Sequence, residues 1–342
     1  MNIKKPFFIA EVGVNHEGDI EKAIDMIESA ADAGADCVKF QMYKADELAI
    51  TDSPAYWDTT KEKTKSQHLL FSKFDGLSIQ DYKTLADECS KRNVEFMVTP
   101  FSRAGVKDAK NICSRLKIAS ADITNIPLIE EAAKTNLPII LSTGAASYEE
   151  VSNAVDLVTK YNDKKITLLH CVLNYPTDPK NAFLKRIEEL RERFPQCYIG
   201  YSDHVPPQKS EFTLLTSIIC GAEVIEKHYT FDKNIPGNDH YHAFDHDDLV
   251  NFYKSIEELK ELYGVDFDEK KFLSIQEPAI LNARRSLVSK IDIKKGQTLT
   301  AKNLDTKRPG SGIPSSRWNE FIGKEVLEDI PADSLIQKSQ VK

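Results

Sequence analysis

Up to Tyr229 the chain alternates short apolar runs with longer amphipathic stretches. The runs are FFIAEV (7–12), DCVKFQ (36–41), EFMVTP (95–100), RLKIAS (115–120), PIILST (138–143), ITLLHC (166–171), YIGYSD (198–203) and VIEKHY (224–229). Each has the length and apolar character of a buried strand. Between them, stretches such as 20–34, 79–93, 126–136 and 148–161 repeat apolar residues at helical spacing. In the first, Ile20, Ala23, Ile24, Ile27 and Ala30 share one face. Strands alternating with helices predict parallel βαβ units. Eight units fit a closed α/β fold, the (β/α)8 TIM barrel, better than an open doubly wound sheet.

Polar residues gather at or just past the ends of these runs: Glu11 and Asn15, Lys39 and Gln41, Thr99 and Ser102, Lys117, Ser120 and Asp122, Ser142 and Thr143, His170, Ser202 to His204, Glu226 and His228. A barrel builds its active site on that rim. A long polar segment, 44–78, interrupts the pattern after the second run and is expected to be a lid or a dimer element. A helix is expected from 247 to 264. From 281 the helical period fades and two turns appear, KKGQ and PGSG. The predicted division is a barrel at 1–270, a linker at 271–281 and a small β-rich domain at 282–342. A domain that small holds little core and is expected to dock on something.

Composition narrows the partners. The 342 residues are 41% hydrophobic and 29% charged, with a net charge of −8. That is ordinary globular material. No basic run or basic helix face suggests nucleic acid. No segment approaches the roughly 20 apolar residues of a membrane span. Phe7 to Ala10 runs straight into Glu11, which reads as a first strand and not as a signal peptide. Six scattered cysteines without a CxxC pair read as reduced thiols of a cytoplasmic protein.

The chemistry starts with His204 and His228. On adjacent strands, two imidazoles at one height can converge on a divalent metal and leave positions open for water and substrate. Asp203 and Glu226 are the candidate partners that fix the rings. The alternative is a pair of hydrogen-bonded histidines that bind no metal. Lys39 and Lys117 stand inside apolar runs, where a lysine is costly unless it meets an anion or a polar lumen. They suggest a phosphate or carboxylate clamp, with Thr99, Ser120 and Ser202 as added donors. Glu11 is a candidate general acid or base, or else a strand-end ion pair. His240, His242 and His246 read as solvated loop histidines, with Asp239 the better contact for a sugar hydroxyl. His16 and His170 read as packing residues, and His68 has no place in the scheme.

IAEVGVNHEGD, VKFQ, TPFS, LKIAS, ILSTG, LLHC, Tyr175-Pro176-Thr177, GYSDH, IEKHYT and PGNDH resemble, in order, the motifs of the sialic acid (nonulosonate) synthase family. Its members make N-acetylneuraminate, legionaminate or pseudaminate. RRSLV, DIKKG and KRPGSGI are similar to that family's antifreeze-like (SAF) domain. The resemblance implies a metal-dependent condensation of phosphoenolpyruvate with an open-chain N-acyl hexosamine to a nine-carbon α-keto acid and phosphate. The sugar would be N-acetylmannosamine or a 2,4-diacetamido-2,4,6-trideoxyhexose. It implies Mn2+ or Mg2+ on His204 and His228, and phosphoenolpyruvate on Lys39, Thr99, Lys117, Ser120 and Ser202. Gln41, Tyr175 and Asp239 would face the sugar, and Arg308 would enter the partner's site in a swapped homodimer. Glu11 and Asp122 would complete the catalytic set.

Two positions depart from the family pattern. Asp122 stands where a glutamate is usual, and Leu173 where some neuraminate synthases carry asparagine, with Asn174 beside it. Both weigh against assigning N-acetylmannosamine by default. Two other readings stay open: a phosphoenolpyruvate aldol-type synthase acting on a phosphorylated sugar, and a degenerate barrel that binds sugar without chemistry.

Overall fold

Strand β1 covers Phe7–Gly13, β2 Cys37–Met42, β3 Glu95–Pro100, β4 Leu116–Ile118, β5 Ile139–Ser142, β6 Thr167–Cys171, β7 Tyr198–Asp203 and β8 Val224–His228. The computed structural model describes residues 3–60, 62–237, 239–264 and 267–342. Among these, the eight strands form one parallel sheet in the order β3-β2-β1-β8-β7-β6-β5-β4. The end strands β3 and β4 pack side by side. The ring is the (β/α)8 barrel that the alternation of runs predicts.

Side chains alternate across each strand, and the barrel interior is built in layers by that period. Ile9, Cys37, Met97, Ile140, Leu169 and Val224 form an apolar plug inside the ring. Two residues further along the same strands stand Glu11, Lys39, Thr99, Ser142, Cys171 and Glu226, all lining one cavity. The intervening residues Ala10, Val38, Val98, Leu141 and Ile225, and Leu168 just ahead of the β6 plug residue, turn outward and join the larger core under the helices.

The helices of this unit are α1 (Ile20–Asp32), α2 (Ala45–Leu48), α3 (Gln67–Phe71), α4 (Ile79–Lys91), α5 (Arg103–Ala109), α6 (Ile126–Ala133), α7 (Tyr148–Tyr161), α8 (Lys185–Arg193), α9 (Pro207–Ile219) and α10 (His246–Tyr263). Their starts are written in the sequence. Asp19 accepts from the backbone N–H groups of Glu21 and Lys22 ahead of α1. Ser78, Ser147 and Asp245 each close a reciprocal capping box ahead of α4, α7 and α10. In α1, Ala23, Met26, Ile27 and Ala30 are buried, the i, i+3, i+4, i+7 face that seats the helix on the barrel.

The chain divides into two compact units, Met1–Val265 and Asp266–Lys342. The 271–281 segment, expected as a linker, carries helices α11 (Glu269–Ile275) and α12 (Glu277–Ala283), counted with the second unit. That unit pairs β9 (Ser286–Ser289) antiparallel with β10 (Leu304–Lys307) and adds a short helix α13 (Trp318–Phe321). It has more core than its length suggested: Leu287, Leu299, Phe321, Val326 and Ile336 are buried in a cluster of their own. All six cysteines are free. No helix among the described residues is long and apolar enough to cross a membrane.

Gly200 marks where β7 and β8 come closest. A Cβ there would collide with the Val224 carbonyl oxygen and stand 2.6 Å from a methyl of Leu169. Backbone cannot yield as a flexible side chain would. Gly200→Ala is therefore expected to destabilise the barrel by at least the ~1–3 kcal/mol typical of overpacking, read as a shifted urea midpoint at unchanged slope.

Candidate active site

The strand ends surround a cavity of about 290 Å³. Its deepest layer is ionic. Glu11 and Lys39 are register partners on β1 and β2, and their charged ends meet at 2.5 Å. Lys39 also donates to Thr99 at 2.9 Å. Glu226 stands between the two lysines, 3.6 Å from Lys39 and 3.4 Å from Lys117. It accepts from the Ser202 hydroxyl at 2.8 Å. All four charged groups are buried. Burial pushes the Glu226 carboxyl up, but Lys117 and Lys39 outweigh it and hold it at about 2. Glu11 goes the other way: burial raises it, Lys39 opposes, and Glu226 adds to the rise. Two carboxylates in one cluster are thus pushed in opposite directions, Glu226 down and Glu11 up.

Beside this layer lies a group of rings. His204 and His228 have centroids 5.4 Å apart. The Val172 carbonyl accepts from Nδ1 of His204 at 2.8 Å, which leaves Nε2 as the nitrogen with a free lone pair. Nδ1 of His228 is buried without a hydrogen-bond partner. Burial lowers its pKa well below the ordinary value, and His242 and His204 lower it further, so the ring is neutral. A neutral imidazole is the form that binds metal. His228, Asp239 and His242 each offer a ligand atom, all within 4.8 Å of one another. The donor set fits a divalent cation.

Gln41 donates to Glu11 at 3.2 Å. The bulge that ends β1 makes room for this pair: Gly13 has φ +56°, and a Cβ there would press on Gln41 and Glu11. Ser120 opens a turn after β4 and accepts from the Gly144 N–H at 3.0 Å. Asp122 accepts from Asn125 at 2.9 Å. Tyr175 stacks near His204, centroids 4.1 Å apart. Glu11, Lys39, Gln41, Thr99, Lys117, Ser120, Asp122, Tyr175, Ser202, His204, His228 and Asp239 all line this cavity, whereas Arg308 follows β10 in the second unit. Leu173 lines it too, while Asn174 is exposed and does not take up the missing position.

Several sequence readings change. Asp203 does not fix a histidine ring. It points away from the lumen and pairs with Lys227 at 2.7 Å, both fully buried, and it accepts from Tyr201, Ser210 and the Val205 N–H. Glu226 faces the lysines, not the imidazoles. His242 and His240 are buried rather than solvated; His240 bonds Thr230 at 2.8 Å, and neither ring nitrogen of His242 has a hydrogen-bond partner. His170 stacks on Tyr201 and reaches the Ala182 carbonyl, a packing position. His68 ties α3 to Asp46 of α2 at 2.7 Å. Asn238 of the PGNDH motif lies outside the described residues.

Residues 26–267 match the NeuB family. The chain belongs to that family. Residues 284–342 match the SAF domain. This NeuB-family chain is 37% identical over 341 residues to the N,N'-diacetyllegionaminic acid synthase of Campylobacter jejuni, covering 98% of this chain and 100% of that one. It is 33% identical over 337 residues to the Legionella pneumophila protein of the same name, covering 96% and 93%. Coverage that wide on both sides means the likeness spans both units. A solved N-acetylneuraminic acid (sialic acid) synthetase from Leptospira borgpetersenii, in complex with citrate, superposes at TM-score 0.69 with 33% identity over 80% of this chain and 91% of that one.

The Asp203–Lys227 pair yields a prediction. It joins β7 to β8 on the outer face, one residue from Ser202 and His204 and one from Glu226 and His228. Lys227→Met leaves Asp203 buried without its cation, and a loss of about 3–5 kcal/mol in unfolding free energy is expected. Asp203→Asn combined with Lys227→Met restores part of it, which a double-mutant cycle in urea will measure.

Proposed function

We propose that this protein is a nonulosonic acid synthase that joins phosphoenolpyruvate to the aldehyde carbon of an unphosphorylated, open-chain N-acyl hexosamine. The observation that carries the reading is the buried pair of lysines, Lys39 and Lys117, converging on Glu226 beside the His228, Asp239 and His242 group. The two lysines, His228 and Asp239 line one cavity of about 290 Å³, with His242 behind them. Membership of the family and the names of its relatives support the substrate class.

The reaction forms a bond between C3 of the enol and the aldehyde carbon. Water adds at C2, and the C2–O bond to phosphate breaks to leave the keto acid and inorganic phosphate. Lys39 and Lys117, with Thr99, Ser120 and Ser202, hold the phosphate and carboxylate. Glu226 keeps the two lysines together. Glu11, whose carboxyl is raised by burial, takes the proton of the attacking water or orients it. Gln41, Tyr175 and Asp239 face the sugar, and Asp122 is a further catalytic candidate. His204 and His228, with Asp239 and His242 alongside, would hold Mn2+ or Mg2+, which polarises a carbonyl oxygen as a Lewis acid when bound. We assign Arg308 to the site of a second copy in a cytoplasmic homodimer.

The test is phosphate release from phosphoenolpyruvate with Mn2+, over N-acetylmannosamine, 2,4-diacetamido-2,4,6-trideoxymannose, its altrose isomer and a phosphorylated mannosamine, each against a no-sugar control. Release that depends on an unphosphorylated sugar is expected. Sugar binding without release would mean a binding protein. Glu11→Gln should lower turnover by about 10²–10⁴-fold, the worth of a positioned acid or base, at unchanged metal content by elemental analysis. Unchanged turnover would remove Glu11 from the chemistry. Light scattering on the eluting peak should return twice the chain mass.

A further inference from the structure

Asp239 stands between two imidazoles. One carboxylate oxygen lies 3.8 Å from Nδ1 of His228, and the other lies 3.9 Å from Nε2 of His242. Both spans are too long for a hydrogen bond, which needs about 2.7–3.2 Å. They match two atoms held by one ion, because ligand bonds of about 2.0–2.2 Å leave neighbouring donors roughly 3–4 Å apart. The three side chains are buried, His242 completely. Neither nitrogen of His242, nor Nδ1 of His228, has a hydrogen-bond partner. Buried polar atoms are normally satisfied by protein, water or an ion. Among the described residues, the ion pairs of Asp239 run to these two rings and to no lysine or arginine.

His242 comes from a loop, yet its ring is fixed. Its centroid lies 5.0 Å from that of Tyr241 and 5.4 Å from that of Tyr175. The Tyr241 hydroxyl donates to the Tyr175 carbonyl at 3.0 Å, which ties these two packing residues together. The His228 and His242 centroids are 4.7 Å apart. His204 is further from both, at 5.4 and 5.9 Å. It is not one of the three residues whose ligand atoms gather within 4.8 Å, and its Nδ1 is spent on the Val172 carbonyl.

Resting on the synthase reading above, we propose that His228, Asp239 and His242 form a three-ligand metal centre that takes a first-row transition ion and discriminates against Mg2+. Asp239 then serves the ion and not the sugar, and His204 is a fourth, lesser ligand. Two imidazoles and a carboxylate are a donor set that leaves positions open for substrate and water. Imidazole nitrogen favours transition ions in the order Mn2+, Fe2+, Co2+. Mg2+ prefers oxygen ligands and gives up its waters reluctantly, and two buried ring nitrogens suit neither habit. A cation here also neutralises the Asp239 carboxylate, which is buried without a basic partner and would otherwise be costly.

The experiment strips the full chain of metal with a chelator and titrates it with Mg2+, Mn2+ and Co2+ alone, without sugar or phosphoenolpyruvate. Calorimetry is expected to rank Co2+ above Mn2+ and both above Mg2+, with Mn2+ at least about tenfold tighter than Mg2+. His242→Phe keeps a ring in the same space without a donor. It should weaken Mn2+ binding by more than the about 10–100-fold that loss of a group behind a ligand costs. His204→Phe should weaken it less. Pulsed electron paramagnetic resonance of the Mn2+-loaded protein should show histidine nitrogen couplings. His242→Phe should remove one of them, a signature that a mere loss of packing leaves in place. Asp239→Asn, of nearly the same shape, should weaken Mn2+ binding likewise and carries the test if the urea transition shows that His242→Phe does not fold. Mn2+ held by the folded variants as tightly as by wild type, unchanged nitrogen couplings, a larger loss at His204, or equal affinity for Mg2+ and Mn2+ each overturns the three-ligand centre. Phosphate release alongside such a result leaves the synthase reading standing. Selective Mn2+ binding that depends on His242, with no phosphate release from any sugar, upholds the centre and overturns the synthase reading.

Discussion

Four charged groups buried in a barrel lumen have to neutralise one another, and the site follows from that. A lone ion in such a place costs several kcal/mol. Lys39, Lys117, Glu11 and Glu226 escape the cost only as a cluster. The cluster exists because the strands are in register: Glu11 lies opposite Lys39 on one side and His228 on the other, and Ser202 lies opposite Glu226. A slip of one residue would turn all of these outward. The anion site, the donor rings and the barrel are one arrangement seen at three scales.

Electrical balance also shapes what a ligand must do. The two lysines are already partnered by two carboxylates. Under the proposed reaction, an anion entering between them adds negative charge next to Glu11, and a like charge raises a carboxyl further. Burial has already raised Glu11, whereas Glu226 is held down near 2 by both lysines. In that reaction Glu11, the carboxyl raised by burial, is the one placed to take the proton. Protonation weakens its hold on Lys39, which frees that ammonium for the incoming anion. Under the proposed reaction one residue would serve both as the proton acceptor and as the displaceable partner of Lys39.

Much of this was legible in the sequence, and period explains which parts. The eight apolar runs fall on the eight strands because a buried parallel strand is continuously apolar and few other elements are. Counting by two from the plug residues, Ile9 leads to Glu11, Cys37 to Lys39 and Val224 to Glu226, so the lumen layer is written in the chain. The same count separates Asp203 from Ser202 and His204, and Lys227 from Glu226 and His228. Grouping Asp203 with the histidines ignored it, and the structure places Asp203 on the other face. His242 was harder. It lies in a loop with no period, and only the fold brings it beside His228, with ring centroids 4.7 Å apart. Tyr56 and Trp57, which also line the cavity, were hidden for a similar reason, since they sit in a segment whose composition is polar and whose path depends on anchors such as Asp75 and Thr51.

The division of labour between strands and loop has a consequence for how such a site changes. Groups that carry charge sit on β-strands, locked by register and by mutual neutralisation, so replacing one leaves another buried and unpaired. Groups on the 44–78 segment pack against one another as rings and form no part of the charge balance. A ring there can be exchanged for another apolar side chain at the modest cost of repacking. Those positions can therefore change without disturbing the lysines, the carboxylates or the histidines. Asp122 stands between the two regimes. It lines the cavity and is only partly buried, its carboxyl is raised by burial and lowered by Asn125, and it forms no ion pair with Lys39 or Lys117 among the described residues. A change of one methylene at that position, between aspartate and glutamate, moves a carboxylate without breaking a charge pair with Lys39 or Lys117, whereas a change in the layer beneath leaves a buried charge unpaired.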